Sequence, residues 1–199
     1  MQKSAKKKRL LLPIATICAL ALAGIVFWVV YRPLHIPDDF VSGRQAAAAL
    51  SQRIVEITGA VNSRIQEASQ NERGGHKEIA LALVQEASDR NYEAHQRAVE
   101  LSVELEKWAE SLKEMASGQS QELALQAISI DSQLVSEYLE YTGYLNEFLE
   151  TLEATFGSND PGDRKRILDA LSAVNQKAQV INQMNAVFTE KIKEFDRSL

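Results

Sequence analysis

The chain has a single cysteine, Cys18, among its 199 residues. One thiol cannot form an intrachain disulfide or a cysteine-rich zinc site, so neither of these can hold the fold together. Proline is also scarce, because Pro161 is the only proline after Pro37. Since proline interrupts helices, so long a stretch without it is typical of long, continuous helices. No strict alternation of polar and apolar residues indicates a strand.

The common motifs of catalysis and cofactor binding are absent as well. The sequence has no Gly-x-Ser-x-Gly motif, no glycine-rich phosphate loop and no cysteine–histidine pair. The helical region contains two histidines, His76 and His95, and neither belongs to a Glu-x-x-His or His-Glu-x-x-His pattern. We therefore predict no catalytic residue, no metal ligand and no cofactor, and we do not expect an enzyme.

Acidic residues are absent before Asp38, whereas residues 1–9 include five basic residues. Residues 10–31 then contain no charged residue at all. A helix of this length can cross the hydrocarbon core of a bilayer, which is roughly 30 Å thick and needs about 20 apolar residues. We therefore predict a cytoplasmic basic tail over 1–9 and a transmembrane signal anchor over 10–31 that contacts membrane lipid.

The distribution of cations predicts the orientation of this span. Arg32 is the only basic residue close behind it, so the positive-inside rule puts the N-terminus in the cytoplasm. The rest of the chain would lie in the periplasm or extracellular space, in a single-pass protein of the cytoplasmic (inner) membrane. The alternative is a signal peptide cleaved after the small-x-small sequence Ala21-Leu22-Ala23. Because apolar residues continue to Val30, a retained anchor is favoured.

Three alanines in the predicted span, Ala15, Ala19 and Ala23, recur at every fourth residue. Small residues at this spacing form a ridge that lets two membrane helices approach closely. The ridge therefore makes a homo-oligomer one candidate assembly, although alanine is common in any membrane anchor.

Apolar residues spaced three and four apart predict four long helices after a linker at 32–41. The predicted helices cover residues 42–71, 76–117, 120–156 and 161–198. Turns that contain glycine separate them, at Gly74-Gly75, at Gly118 and between Gly157 and Gly162. Because short turns fold neighbouring helices back, we predict an all-α antiparallel up-down four-helix bundle over 42–199. An extended coiled coil that dimerises is the alternative.

The predicted topology puts the turns at 71–76 and 157–163 at the end of the bundle far from the membrane. Six basic residues collect there, and they form a candidate partner-binding tip: Arg73, His76, Lys77, Arg164, Lys165 and Arg166. Local positive charge raises the rate of encounter with an acidic partner. The alternative is ordinary solvated loop charge, which nearby acids largely offset.

A second candidate site lies in the predicted third helix, where tyrosines cluster around Gly143. The candidate groove comprises Asn91, Tyr138, Tyr141 and Tyr144. Glycine inside a helix is unfavourable, so close helix approach, a kink or a binding groove could offset it. The alternative is that the aromatic residues belong to the core and that Asn91 fixes the register of the bundle.

Residues after position 31 include 17 basic and 27 acidic residues, a net charge of −10. Nucleic-acid affinity depends on cations that neutralise phosphates, so we expect no nucleic-acid partner. An anchored bundle without catalytic motifs favours a non-enzymatic interaction or scaffold module that meets another membrane or envelope protein. The alternative is a ligand-sensing bundle that signals through a membrane partner. In helix number and length, the layout resembles the extracytoplasmic sensor domains of bacterial chemoreceptors and sensor kinases.

Overall fold

The computed structural model describes residues 37–114, 118–156 and 161–198. These residues do not include the predicted basic tail, the predicted span with its alanine ridge, or most of the predicted linker. Within the described ranges, none of the helices has an apolar stretch that is long enough to span a bilayer.

Four long helices make up the described part of the chain, and no strand occurs in it. They are α1 (Asp38–Arg73), α2 (Lys77–Ser111), α3 (Gln119–Thr155) and α4 (Pro161–Ser198). A short 3₁₀ helix, Leu112–Glu114, continues α2. The all-α prediction with four long helices is therefore confirmed, and the arrangement is that of a four-helix bundle.

The boundaries differ from the predicted ones by more than two residues at two places. Helix α1 begins at Asp38, inside the predicted linker, because the Pro37 carbonyl accepts hydrogen bonds from the N–H groups of Phe40 and Val41. Asp38 and Asp39 in its first turn suit the positive end of the helix dipole. Helix α2 ends at Ser111 rather than at 117, since the chain tightens into the 3₁₀ helix there.

The turn between α1 and α2 is built on its two glycines. The Gly74 N–H donates to the Gln70 carbonyl at 3.0 Å, and the His76 N–H donates to the Asn71 carbonyl at 2.9 Å. Gly75 has a φ of 81°, in the left-handed region that side chains disfavour. This turn reverses the chain within three residues and sets α1 and α2 side by side.

Contacts between side chains show that α1 and α2 run antiparallel. Arg53 and Arg64 of α1 pair with Glu93 and Glu86 of α2 at 3.1 and 2.5 Å. Helices α2 and α3 also pack together, as do α3 and α4. The bundle closes at one end, where the rings of Phe40 and Phe195 lie 5.7 Å apart.

The core runs along the whole bundle, but the two hairpins fill it differently. Helices α1 and α2 contribute many small buried residues: Ala47, Ala48, Ala68, Ala80, Ala87, Ala94 and Ala98. Helices α3 and α4 contribute larger ones: Tyr138, Tyr141, Leu145, Phe148, Ile181, Phe188 and Phe195. Small side chains let helix axes approach closely, and the large ones of the second hairpin fill the remaining space.

Candidate functional site

The structure assembles the predicted basic residues from two helix ends and one turn. Arg73 ends α1, while His76 and Lys77 begin α2. The other three occupy the first turns of α4: Arg164, Lys165 and Arg166. We call these six residues the tip. All six side chains are exposed to solvent.

Three tip cations have no acidic partner among the residues that the structure describes. Arg166 pairs with Asp163, which is itself buried, and Arg73 Nε donates to the Ser69 carbonyl. Lys77, Arg164 and Lys165 make no ion pair with the residues that the structure describes. These three charges therefore remain available to an external acidic group.

Side chains rather than helix dipoles determine the sign of the potential at the tip. The positive ends of α2 and α4 meet the negative ends of α1 and α3 there, so the dipoles oppose one another. Four acids accompany the cations in the sequence of these helix ends and turns: Glu72, Glu78, Asp160 and Asp163. The five permanent cations exceed the four acids by one, whereas the region after residue 31 as a whole has a net negative charge.

The opposite end of the bundle is closed by aromatic rings. Phe40 packs against Trp108 with ring centroids 5.3 Å apart, and against Phe195. Beside them, the Arg44 guanidinium lies 3.8 Å from the Asp196 carboxylate. We call these five residues the base. Burial raises the pKa of Asp196 to about 6 despite Arg44, and burial lowers the pKa of Arg44 to about 9 despite Asp196.

The four residues of the candidate groove do not share one surface. Tyr138 and Tyr141 lie in the core with ring centroids 5.7 Å apart, and Tyr141 has no exposed area. Asn91 is buried and its Nδ2 donates to the Thr142 carbonyl at 2.8 Å. Tyr144 is 39 % exposed on the outside of α3. The structure therefore brings Asn91, Tyr138 and Tyr141 into the interior and separates Tyr144 from them.

Buried hydroxyl groups join these residues across the core. The Thr58 hydroxyl donates to the Ile54 carbonyl at 2.8 Å, so the Tyr138 hydroxyl is the donor in its 2.5 Å contact with Thr58 Oγ1. Likewise, Thr142 donates to the Leu139 carbonyl and accepts a 2.8 Å hydrogen bond from His95 Nδ1. The first bond ties α1 to α3, and the second ties α2 to α3.

Sequence reasoning did not single out Thr58, Thr142 or Asp131. Each lies three or four residues from apolar core residues on its own helix. This spacing places it on the buried face and is the feature of the sequence that predicts its burial. Asp131 is only 2 % exposed, and burial raises the pKa of its carboxyl to about 7.

The described residues contain no group of three or more histidine, cysteine, aspartate or glutamate side chains that could hold a metal ion. A shallow groove of about 430 Å³ lies on the outer face of α3, lined by Glu122, Leu125, Gln126, Ser129 and Ile130. It includes neither the tip nor the buried tyrosines. No family model, curated protein or solved structure is detectably similar to this chain.

Proposed function

We propose that this chain is a non-enzymatic, membrane-anchored helical-bundle protein that acts as an interaction or scaffold module outside the cytoplasmic membrane. In this proposal the tip binds an acidic surface on another membrane or envelope protein. The observation that carries it is a set of exposed cations that make no ion pair with the described residues and that two separate helices contribute at one end of the bundle: Lys77, Arg164 and Lys165.

The length and direction of α1 support this proposal. The helix has 36 residues and begins at Asp38, inside the predicted linker. At 1.5 Å per residue it extends about 54 Å, so its two ends are far apart. An anchor before residue 37 would hold the base near the bilayer and the tip about 50 Å away from it. The bundle would then act as a spacer that presents the cations at a defined height.

The bonds across the core support a rigid spacer. Thr58 and Tyr138 join α1 to α3, while Lys177 of α4 contacts Glu137 of α3 at 2.6 Å. Side chains that are packed and hydrogen-bonded between helices resist sliding of one helix along another. A rigid spacer keeps the tip at a fixed distance from the anchor, as a scaffold requires.

The chemistry of the tip favours a partner that presents carboxylates. Exposed lysines and arginines attract acidic surfaces over about one Debye length, roughly 8 Å in physiological salt. Such complementary charges raise association rates and add specificity more than they add affinity. We therefore expect that raising the salt concentration slows association and weakens the complex.

Charge reversal tests this proposal. Lys165→Glu in the full-length protein is expected to reduce recovery of an in-cell crosslinked partner, which mass spectrometry identifies. The matched control is Lys107→Glu, a lysine on α2 nearer the base with 63 % of its side chain exposed. Replacing an acidic partner residue by lysine is expected to restore crosslinking to Lys165→Glu. Equal recovery from both variants, without such rescue, would count against binding at the tip.

Location outside the membrane is tested separately by cysteine labelling. Cys18 is the only native cysteine, so a Cys18→Ser chain with Lys77→Cys carries one reactive thiol. We expect a membrane-impermeant maleimide to label this thiol in intact cells whose outer layers admit the reagent. Labelling that requires disruption of the cytoplasmic membrane would contradict the proposed orientation.

A further inference from the structure

Two buried polar side chains, Asp131 of α3 and Asn185 of α4, lie in the core of the second hairpin. Both are buried, and the Oδ1 atom of each has no hydrogen-bond partner among the residues that the structure describes. Two buried oxygens that both lack a donor would destabilise the bundle. Asp131 becomes the missing donor if its carboxyl carries a proton.

The contacts between α3 and α4 place the two residues at the same level. Near the base, the Ser120 hydroxyl donates to the Ser198 carbonyl at 3.0 Å. Toward the tip, Lys177 Nζ contacts Glu137 Oε2 at 2.6 Å. Asp131 and Asn185 lie between these two contacts on antiparallel helices, which makes them level to within about one helical turn of 5.4 Å. Because both are buried, both side chains lie in this layer of the core.

The other buried residues at this level carry no charge. They are Ser51 and Ile54 of α1, Leu101 and Leu105 of α2, and Ile181 and Phe188 of α4. The Ser51 hydroxyl donates to the Ala47 carbonyl, so it does not supply a proton to Asp131. Most charged groups on adjoining turns are paired with one another: Glu104 with Lys107, Arg97 with Glu100, Glu137 with Lys177, Arg53 with Glu93, and Arg44 with Asp196. Glu106 makes no ion pair with the described residues, and its side chain is exposed to solvent.

We propose that Asp131 is protonated in the closed bundle, that its hydroxyl donates to Asn185 Oδ1, and that loss of this proton loosens the packing of α3 on α4. Ionisation releases one proton to solvent and leaves a carboxylate opposite a carbonyl oxygen in an apolar layer. The bundle is thus a pH-responsive element, closed in mildly acidic conditions and looser in alkaline ones. Burial, which raises the pKa of this carboxyl to about 7, acts in the same direction.

The sign of the effect follows from proton linkage. The carboxyl binds its proton more tightly in the folded chain than in the unfolded chain, where its pKa is near the ordinary value of 3.8. Stability is therefore highest at acidic pH and declines as pH rises from about 4 to 7. Across that interval the unfolding constant is expected to increase about tenfold per pH unit for this single proton.

Urea unfolding of the full-length protein in detergent micelles, followed by helical circular dichroism between pH 4.5 and 8.5, tests this proposal. Every variant carries Asp196→Asn, because Asp196 also has a raised pKa. Asp131→Asn keeps the shape and always offers an N–H donor, so we expect it to remove most of the pH dependence. Asp169→Asn, on the exposed surface of α4, is the matched control and should leave the dependence unchanged.

Infrared spectroscopy provides a second readout, which reports protonation of the carboxyl directly and not through the free energy of unfolding. At pH 5.5, above the range in which exposed carboxyls are protonated, the parent chain carrying Asp196→Asn should show the carbonyl band of a buried protonated carboxylic acid. This band should disappear in Asp131→Asn and remain in Asp169→Asn. Absence of the band from the parent chain, or equal pH dependence in all three chains, would overturn the proposal.

Discussion

The base and the tip are built from the same four helices, yet they differ in almost every physical respect. At the base, Phe40, Trp108 and Phe195 are buried against one another, and even the charged pair of Arg44 and Asp196 is partly buried. At the tip, six basic side chains are exposed. The difference teaches that burial is concentrated at the base and exposed positive charge at the tip. With the proposed function, stability and recognition are separated along the bundle, so each can be altered without the other.

The largest expected effect comes from the base. Phe40 has no exposed area and contacts both Trp108 and Phe195, so Phe40→Ala leaves a cavity that the rings cannot fill. We expect it to lower the free energy of unfolding by about 3–5 kcal/mol. Urea unfolding monitored by circular dichroism measures the loss. Tyr92→Ala is the aromatic control, since Tyr92 is 64 % exposed, and it should change stability by no more than about 0.5 kcal/mol.

Two glycines sharpen the comparison between packed and open surfaces. A Cβ at Gly43 would lie 3.1 Å from Trp108 Cδ1, whereas a Cβ at Gly143 would meet nothing within 4 Å. Gly143→Ala should therefore stabilise the protein by about 0.5–1 kcal/mol through helix propensity alone. Gly43→Ala gains the same helix propensity but displaces the buried Trp108 side chain, so we expect a net loss of stability of about 1 kcal/mol.

Thermal unfolding of the two alanine variants side by side checks this opposition. If Gly43→Ala were as stabilising as Gly143→Ala, then Trp108 would not be confined by its neighbours and the packed base would be wrong. The open surroundings of Gly143 also show that close helix approach does not explain this glycine.

The ion pair of Arg44 and Asp196 at the base is expected to have a smaller effect on the free energy of unfolding, and this effect depends on pH. Burial raises the pKa of Asp196 to about 6, so its ionisation is less favourable in the folded chain than in the unfolded chain. Its contribution is present below about pH 4 and is lost as pH rises to about 6. Since solvent screens this half-exposed group, we expect a difference of no more than about 1 kcal/mol.

The difference between the parent chain and Asp196→Asn, measured by urea unfolding at pH 4 and pH 7, isolates this contribution. The substitution should stabilise the protein at pH 7 relative to pH 4. A destabilisation at pH 7 would mean that attraction to Arg44 outweighs burial.

The smallest effect on stability is expected at the tip. Lys165 is exposed and has no ion pair among the described residues, so Lys165→Glu should change the free energy of unfolding by no more than about 0.5 kcal/mol. The same substitution is the one expected to impair partner binding. A large loss of stability from this change would contradict the separation of the two ends.

Helix number, helix direction and the basic end of the bundle could be predicted from the sequence. Apolar residues at spacings of three and four reveal a buried face directly, and glycine-containing turns reveal where the chain reverses. The predicted start of α1 at residue 42 lies four residues after the observed start at Asp38, because the predicted linker continues beyond Pro37 to residue 41. Proline just before a helix is well tolerated, since its missing N–H has no partner within the first turn.

Interior details were harder to predict because they depend on rotation and register. Tyr138, Tyr141 and Tyr144 repeat at every third residue, whereas a helix turns once per 3.6 residues. Each step therefore rotates the side chain away from the first, and Tyr144 ends on the outer surface. Aspartate usually lies on the protein surface, but Asp131 occupies a core position. Its burial becomes evident only when the four helices are packed together.

Photocrosslinking at two positions of one helix tests the central claim most directly. A photoreactive residue replaces either Lys77 at the tip or Lys107 nearer the base, both of which are exposed lysines on α2. The account predicts that position 77 captures one specific partner in the native membrane, that high salt reduces this capture, and that position 107 does not capture it. Capture of the same partner at position 107 but not at 77 would contradict the account.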